Sequence, residues 1–80
     1  MSNIDKRIRI AILETALDIM LLKKKTSLKR TARNIIDLGC SLSKKTVSET
    51  AKKEIYDDLI LLIPLNNAVS LKKYLIEKFI

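Results

Sequence analysis

The chain of 80 residues contains a single glycine, Gly39, and a single proline, Pro64. Folds made of many short strands need tight turns, and glycine and proline supply most of the backbone conformations that such turns require. An all-β fold is therefore excluded. Apolar residues instead recur at three- and four-residue intervals, which predicts an all-α fold. We expect one domain over residues 1–80, a small four-helix bundle in which the first, third and fourth helices make the core.

Capping signals place the first two helices. The first runs from the N-terminus to the lysines at 23–25, whose charges suit the negative end of the helix dipole. The second is capped by Thr26 or Ser27 and spans 28–38. Gly39 then stands where a left-handed residue commonly ends a helix, and we expect it to end this one.

The third and fourth helices are separated by the proline. A capping box that opens with Thr46 predicts a third helix from about Val47. Pro64 stops this helix, because a residue that precedes proline is pushed out of the α region. Asn66 or Asn67 then caps a fourth helix, which continues to the end of the sequence.

The predicted first helix carries two apolar stripes on nearly opposite sides. One stripe consists of Ile4, Ile8, Ile12, Ile19 and Leu22. The other consists of Ile10, Leu13, Leu17, Met20 and Leu21. A helix that is apolar on two sides is buried on two sides. Either this helix is the central one, wrapped by the other three, or its second stripe (Ile10 to Leu21) is an interface, and we favour an interface in a homodimer.

The composition argues against enzymatic chemistry. The sequence has no histidine, which removes histidine acid–base catalysis and most zinc sites. A glycine-rich phosphate loop cannot be built from one glycine. Glu14 and Asp18 lie one helical turn apart, but no second pair of acidic residues is aligned with them, and we interpret them as solvated. We therefore predict no enzyme, no catalytic residue, no metal site and no cofactor.

The cysteine content and the hydropathy indicate the compartment. Cys40 is the single cysteine, so it cannot form an internal disulfide, which is typical of a reducing compartment. We expect it to be partly buried and inert. The longest apolar run, 59–65, is far shorter than the about 20 residues of a membrane span. The N-terminal residues alternate charged and apolar side chains, unlike a signal peptide. We expect a cytoplasmic protein with no transmembrane segment.

The charge balance favours an anionic partner. Sixteen lysines and arginines against nine acidic residues give a net charge of +7, which suits nucleic acid, a membrane surface or an acidic protein. Basic residues concentrate between positions 23 and 33, and again at 44–45 and 52–53. If the second and third helices cross, these groups share one face that could contact several phosphates.

The segments at 32–39 and 43–48 resemble the helix-turn-helix of bacterial and phage DNA-binding proteins. That motif commonly has an alanine, a leucine–glycine turn and then a Ser-x-x-Thr-Val-Ser opening of the recognition helix. The resemblance implies a regulator that binds duplex DNA through its second and third helices. The predicted DNA-binding residues are Lys29, Arg30, Arg33, Ser43, Lys44, Lys45, Thr46, Ser48, Lys52 and Lys53.

A second resemblance concerns architecture alone. Small, basic four-helix proteins rich in lysine and isoleucine are similar to the bacteriocin immunity proteins of Gram-positive bacteria. This likeness implies a non-enzymatic protein that binds a partner protein, acts near a membrane surface or inhibits a larger enzyme. Lys72, Lys73 and Lys78 flank a broad apolar face of the predicted fourth helix, which is compatible with such a contact.

Overall fold

The computed structural model describes residues 3–23 and 25–80, and it places four α-helices in them. These are α1 (Asn3–Leu22), α2 (Leu28–Leu42), α3 (Glu49–Leu62) and α4 (Ala68–Phe79), with a 3-10 turn over Ile63–Leu65 between α3 and α4. The described residues form no strand. The predicted all-α four-helix bundle is confirmed. Lys24, within the predicted end of the first helix, lies outside the described residues.

Side-chain caps begin three of the helices. The side chain of Ser27 accepts a hydrogen bond from the backbone N–H of Arg30, and that of Asn67 accepts one from the N–H of Ser70. For each of these two caps, the sequence analysis predicts one of two neighbouring residues without choosing between them. The cap of α3 is Ser48 and not Thr46, because the Ser48 hydroxyl reaches the N–H three residues further on. Consequently α3 begins at Glu49, later than predicted.

One predicted helix end is wrong, at Gly39, whereas α3 does end before Pro64, at Leu62, although for a different reason from the one predicted. Gly39 does not end α2, which continues through it to Leu42, and its φ is not positive. The glycine is required because the ring of Phe79 packs against the helix backbone at this point. Ile63, which precedes Pro64, keeps helical angles (φ −58°, ψ −46°), because the proline lies in the first turn of the 3-10 segment. The turn ends at Asn66 in the left-handed region.

The core lies around α2 and not around α1. Helix α2 packs against the other three helices, and it buries one face along its whole length. The prediction that the first, third and fourth helices make the core is therefore incomplete. The buried apolar residues are Leu13, Leu17, Ala32, Ile35, Ile36, Ile55, Leu59, Leu71, Leu75 and Phe79.

The stripe of α1 that was predicted to form an interface is the one that the structure buries in the core. Leu13 and Leu17 are completely buried within the domain, and Met20 and Leu21 are half-buried against the same core. Ile10 is also half-buried. These five residues were predicted to form an interface with a second chain. That prediction is wrong, because the rest of this chain already covers them. Of the first stripe, Ile8, Ile12, Ile19 and Leu22 are exposed.

Candidate nucleic-acid interface

The junction of α1 and α2 carries an unopposed group of cations. No acidic residue occurs between positions 19 and 36. In that stretch the structure exposes five basic side chains, which we call the basic end: Lys23, Lys25, Lys29, Arg30 and Arg33. Among residues 3–23 and 25–80, the four ion pairs involve none of these five. Their charges are therefore available to an external anion.

The basic end contains a shallow polar cavity of about 320 Å³. Lys23 and Arg30 contribute its cations, and Thr26, Thr31 and Asn34 contribute hydroxyl and amide groups. Thr31 is only 7% exposed. The cavity adjoins the first turn of α2, where the helix dipole is positive. Cations, hydroxyls and a helix N-terminus together form an environment that suits a phosphate group.

Arg33 connects the basic end to α3. Its guanidinium carbon lies 6.0 Å from the centre of the Tyr56 ring, a cation–π distance. The start of α2 lies beside Ile60 and Leu61, near the end of α3. The two helices are therefore antiparallel neighbours, and the basic end lies at the same end of the bundle as the C-terminus of α3.

The loop between α2 and α3, residues 43–48, is fastened to α1. The Ser43 hydroxyl accepts a hydrogen bond from the Lys45 N–H (3.2 Å) and donates one to the Lys45 carbonyl (3.0 Å). Lys44 Nζ lies 2.7 Å from Asp5 Oδ2. The hydrogen bond from Lys44 lowers the pKa of Asp5 below its usual value, and the nearby Arg9 adds to this effect. The charge of Lys44 is thus already opposed.

Arg9 ties the same region together from α1. Its Nη1 donates a 2.9 Å hydrogen bond to the carbonyl of Leu42, the last residue of α2. A cation at this carbonyl satisfies an acceptor that has no partner in the helix and suits the negative end of the helix dipole. The α2–α3 loop is therefore held by α1 on two sides.

These contacts change how the predicted DNA-binding residues are placed. Ser43 ends α2, and Lys44, Lys45 and Thr46 lie in the six-residue loop and not on a recognition helix. The Ser48 hydroxyl is occupied as the cap of α3. The α2–α3 pair thus lacks the tight turn of the helix-turn-helix that the sequence resembles, because α2 continues past Gly39 and α3 begins late.

The remaining predicted residues separate into two groups. Lys52 forms an ion pair with Glu49 (3.0 Å), which also raises the pKa of Lys52, and Lys53 is exposed beside it. Lys29, Arg30 and Arg33 lie at the other end of α2, a helix about 22 Å long at 1.5 Å per residue. The structure therefore does not unite all ten predicted residues. Lys23 and Lys25 lie beside Lys29, Arg30 and Arg33; the sequence placed them in the basic cluster between positions 23 and 33 but not among the predicted DNA-binding residues.

Other kinds of site find little support in the described parts of the chain. No group of three or more histidine, cysteine or acidic side chains there is arranged to hold a metal ion. None of the helices is long and apolar enough to cross a membrane. The thiol of Cys40 is free and half-buried. Comparisons with models of protein families, with curated proteins and with solved structures found no match.

Proposed function

We propose that this chain is a small, non-enzymatic regulatory protein of the cytoplasm that binds duplex DNA. The binding surface is the basic end, Lys23, Lys25, Lys29, Arg30 and Arg33. The observation that carries the proposal is that these five exposed cations lie together without an acidic residue between positions 19 and 36. DNA presents a dense array of phosphates, so a surface of this kind gains affinity by releasing counterions from it.

The polar cavity of the basic end supports a phosphate contact. Lys23 flanks it from the segment just after α1 and Arg30 flanks it from α2, and Thr31 lies almost buried at its wall. A phosphate placed there would receive charge-assisted hydrogen bonds from both cations. The cavity therefore suits a backbone contact that positions the protein on DNA without reading its sequence.

Duplex DNA is favoured over single strands because the surface has few exposed rings. Aromatic residues make up 4% of the chain. The Tyr56 ring is covered by Arg33, and Phe79 is buried in the core. Proteins that bind single strands without sequence preference stack the bases on exposed aromatic side chains. This chain offers phosphate contacts and no comparable stacking platform.

The test is a binding titration with a nonspecific duplex at several salt concentrations. Lys29→Ala combined with Arg30→Ala should weaken binding. It should also make the slope of log affinity against log salt shallower by about 2, because each lost phosphate contact contributes about 0.9. Lys73→Ala combined with Lys78→Ala on α4 is the matched control, since it removes the same charge from another face. Absence of salt-dependent binding by the wild type would refute the proposal.

The loop between α2 and α3 provides a second comparison. Lys44→Ala combined with Lys45→Ala removes the same charge again, but Lys44 already pairs with Asp5. We expect a smaller effect than at Lys29 and Arg30. An equal or larger effect would move the binding surface to the loop, where the helix-turn-helix resemblance had placed it.

A second candidate function is the binding of a partner protein, and an apolar groove favours it. Leu28, Tyr56, Ile60 and Leu61 line this groove between α2 and α3, with Lys29 at its rim. Leu61 is 71% exposed. Asp57 lines the groove as well, so it would suit an apolar side chain of a partner protein without favouring an acidic or a basic surface. If the wild type binds no duplex, this candidate is the one to pursue, and Leu61→Asp should then abolish capture of the partner.

A further inference from the structure

The outer face of α1 is apolar and uncovered. Ile8 is 54% exposed, Ile12 46% and Ile19 54%, and the small residues Ala11, Thr15 and Ala16 lie between them. We call these six residues the α1 face. Leu22 extends it towards the basic end and is 77% exposed. An exposed apolar surface that runs from Ile8 to Leu22 along one helix is typical of a binding surface.

The positions of the residues along the α1 face are symmetric about one midpoint, although Ile12 on one side corresponds to Thr15 on the other. Ile8, Ile12, Thr15 and Ile19 are separated by steps of four, three and four. Ala11 and Ala16 are equidistant from the same midpoint, which lies between Leu13 and Glu14. In an antiparallel pair about that midpoint, Ile8 would pack against Ile19 of a second copy. The face can therefore pack against a second copy of itself, with Ile12 against Thr15 beside the centre and Ile8 against Ile19 towards both ends.

The charges that border the α1 face follow the same symmetry. One edge carries Arg7 near its start and Asp18 near its end, and both side chains are exposed. A two-fold axis brings each edge against the same edge of the second copy in reverse order, so Arg7 would face Asp18. The other edge carries Asp5, and Lys23 lies one residue beyond the position that mirrors it. Antiparallel pairing therefore sets opposite charges against each other along both edges.

We infer that the α1 face binds the α1 face of a second copy of this chain, in an antiparallel homodimer with a two-fold axis near its centre. Asp18 also pairs with Lys72 of its own chain at 2.8 Å, and Asp5 pairs with Lys44. These contacts leave both carboxylates partly exposed, so each can accept a further cation at the border of the interface. The buried isoleucines supply affinity, and the charged borders fix the direction of pairing.

The dimer would present two basic ends on one side. Helix α2 packs on the edge of α1 that carries Asp5 and Arg9, whereas α4 packs on the edge that carries Asp18. The two-fold axis keeps the α2 edges of both copies on the same side. The two Lys23 residues would lie about 30 Å apart along the helix axes, at 1.5 Å per residue. That separation is close to one helical turn of DNA, about 34 Å. The match between the dimer and one turn of DNA rests on the proposed function.

Sedimentation without DNA tests the dimer separately from DNA binding. The wild type should change from monomer to dimer as its concentration rises from the low micromolar to the millimolar range. Ile12→Glu should stay monomeric over that range with an unchanged helical circular dichroism spectrum. Val69→Glu, which alters a side chain on α4 that is 78% exposed, should dimerise like the wild type. A wild type that is monomeric throughout, or an Ile12→Glu variant that still dimerises, would overturn the inference.

Chemical cross-linking tests the direction of pairing. Ile8→Cys and Ile19→Cys are made separately with Cys40→Ser, so that each chain has one thiol. A short bis-maleimide should link a mixture of the two variants into heterodimers and link each variant alone poorly. A parallel pair would give the reverse pattern and refute the antiparallel arrangement. Because neither experiment contains DNA, their results do not depend on whether the basic end binds it.

Discussion

The ring of Phe79 in α4 lies directly against the backbone of α2 at Gly39. A Cβ added to Gly39 would lie 2.6 Å from Phe79 Cγ and closer still to two other ring carbons. Phe79 is 3% exposed, so the glycine allows the last turn of α4 to bury a large apolar side chain. A glycine inside a helix costs about 1 kcal/mol relative to alanine, and the close packing of the ring offsets this cost.

We predict that Gly39→Ala destabilises the protein by about 1–2 kcal/mol, although alanine is the better helix former. The gain in helix propensity is about 1 kcal/mol, and overpacking a buried contact costs about 1–3 kcal/mol. Steric displacement of a rigid ring by a backbone-attached carbon lies at the upper end of that range. The measurement is the free energy of unfolding from urea titration.

A double-mutant cycle isolates the contact. In a Phe79→Leu background the smaller side chain leaves room for a methyl group, so Gly39→Ala should be neutral or stabilising. If Gly39→Ala destabilises both backgrounds equally, the ring is not the reason for the glycine.

Local signals in the sequence were sufficient to predict the helices, and they limited two of the caps to a pair of neighbouring residues each. Ser27 and Asn67 cap their helices through contacts within three residues, so each cap depends on the adjacent sequence alone. The wrong prediction that Gly39 ends α2 also came from relying on the adjacent sequence alone. A glycine after a leucine is typical of a helix end, and only the distant Phe79 explains why this one lies inside a helix.

The choice between the two stripes of α1 could not be made from its sequence. Both stripes are rich in isoleucine, leucine or methionine, and helical periodicity gives their spacing but not which one faces the core. That choice depends on how α2 and α4 pack, and contacts such as Arg9 with Leu42 span 33 residues. The basic end was partly predictable, since its charges fall within eleven residues of sequence. The distance between Lys29 and Arg30 and the loop at 43–48 could not be predicted, because it depends on the full length of α2.

Tyr74 and Asp58 link α4 to α3. The Tyr74 hydroxyl donates a 2.5 Å hydrogen bond to Asp58 Oδ2 in a partly buried position. Tyr74→Phe removes the donor and should destabilise the protein by about 1.5 kcal/mol, the lower end of the range for a hydrogen bond to a charged group. Tyr56→Phe is the matched control, because Tyr56 is held through its ring by Arg33. Thermal unfolding of both variants gives the comparison, and equal losses would contradict the role of the hydroxyl.

The same contact predicts a dependence on alkaline pH. Burial and the hydrogen bond to Asp58 raise the pKa of Tyr74 above its usual value. A group whose pKa is raised by folding stabilises the folded state fully below its unfolded pKa of about 10, and this stabilisation is lost as the pH rises through the folded pKa. The wild type should therefore lose its advantage over Tyr74→Phe above pH about 10, as measured by urea unfolding at a series of pH values. A constant difference between them across that range would exclude this linkage.

The two faces of α1 should respond in opposite ways to the same substitution. Leu17 is completely buried, so Leu17→Glu places an unpaired charge in the core, which costs several kcal/mol and should unfold the domain. Ile19→Glu, two residues further along, changes a side chain that is 54% exposed and should leave the helical circular dichroism intact while preventing dimerisation. Both variants introduce the same residue into the same helix, so helix propensity does not separate them. A folded, monomeric Leu17→Glu protein would instead restore the stripe of Leu13 and Leu17 as the interface, and would mean that the packing of α1 against α2 and α4 is wrong.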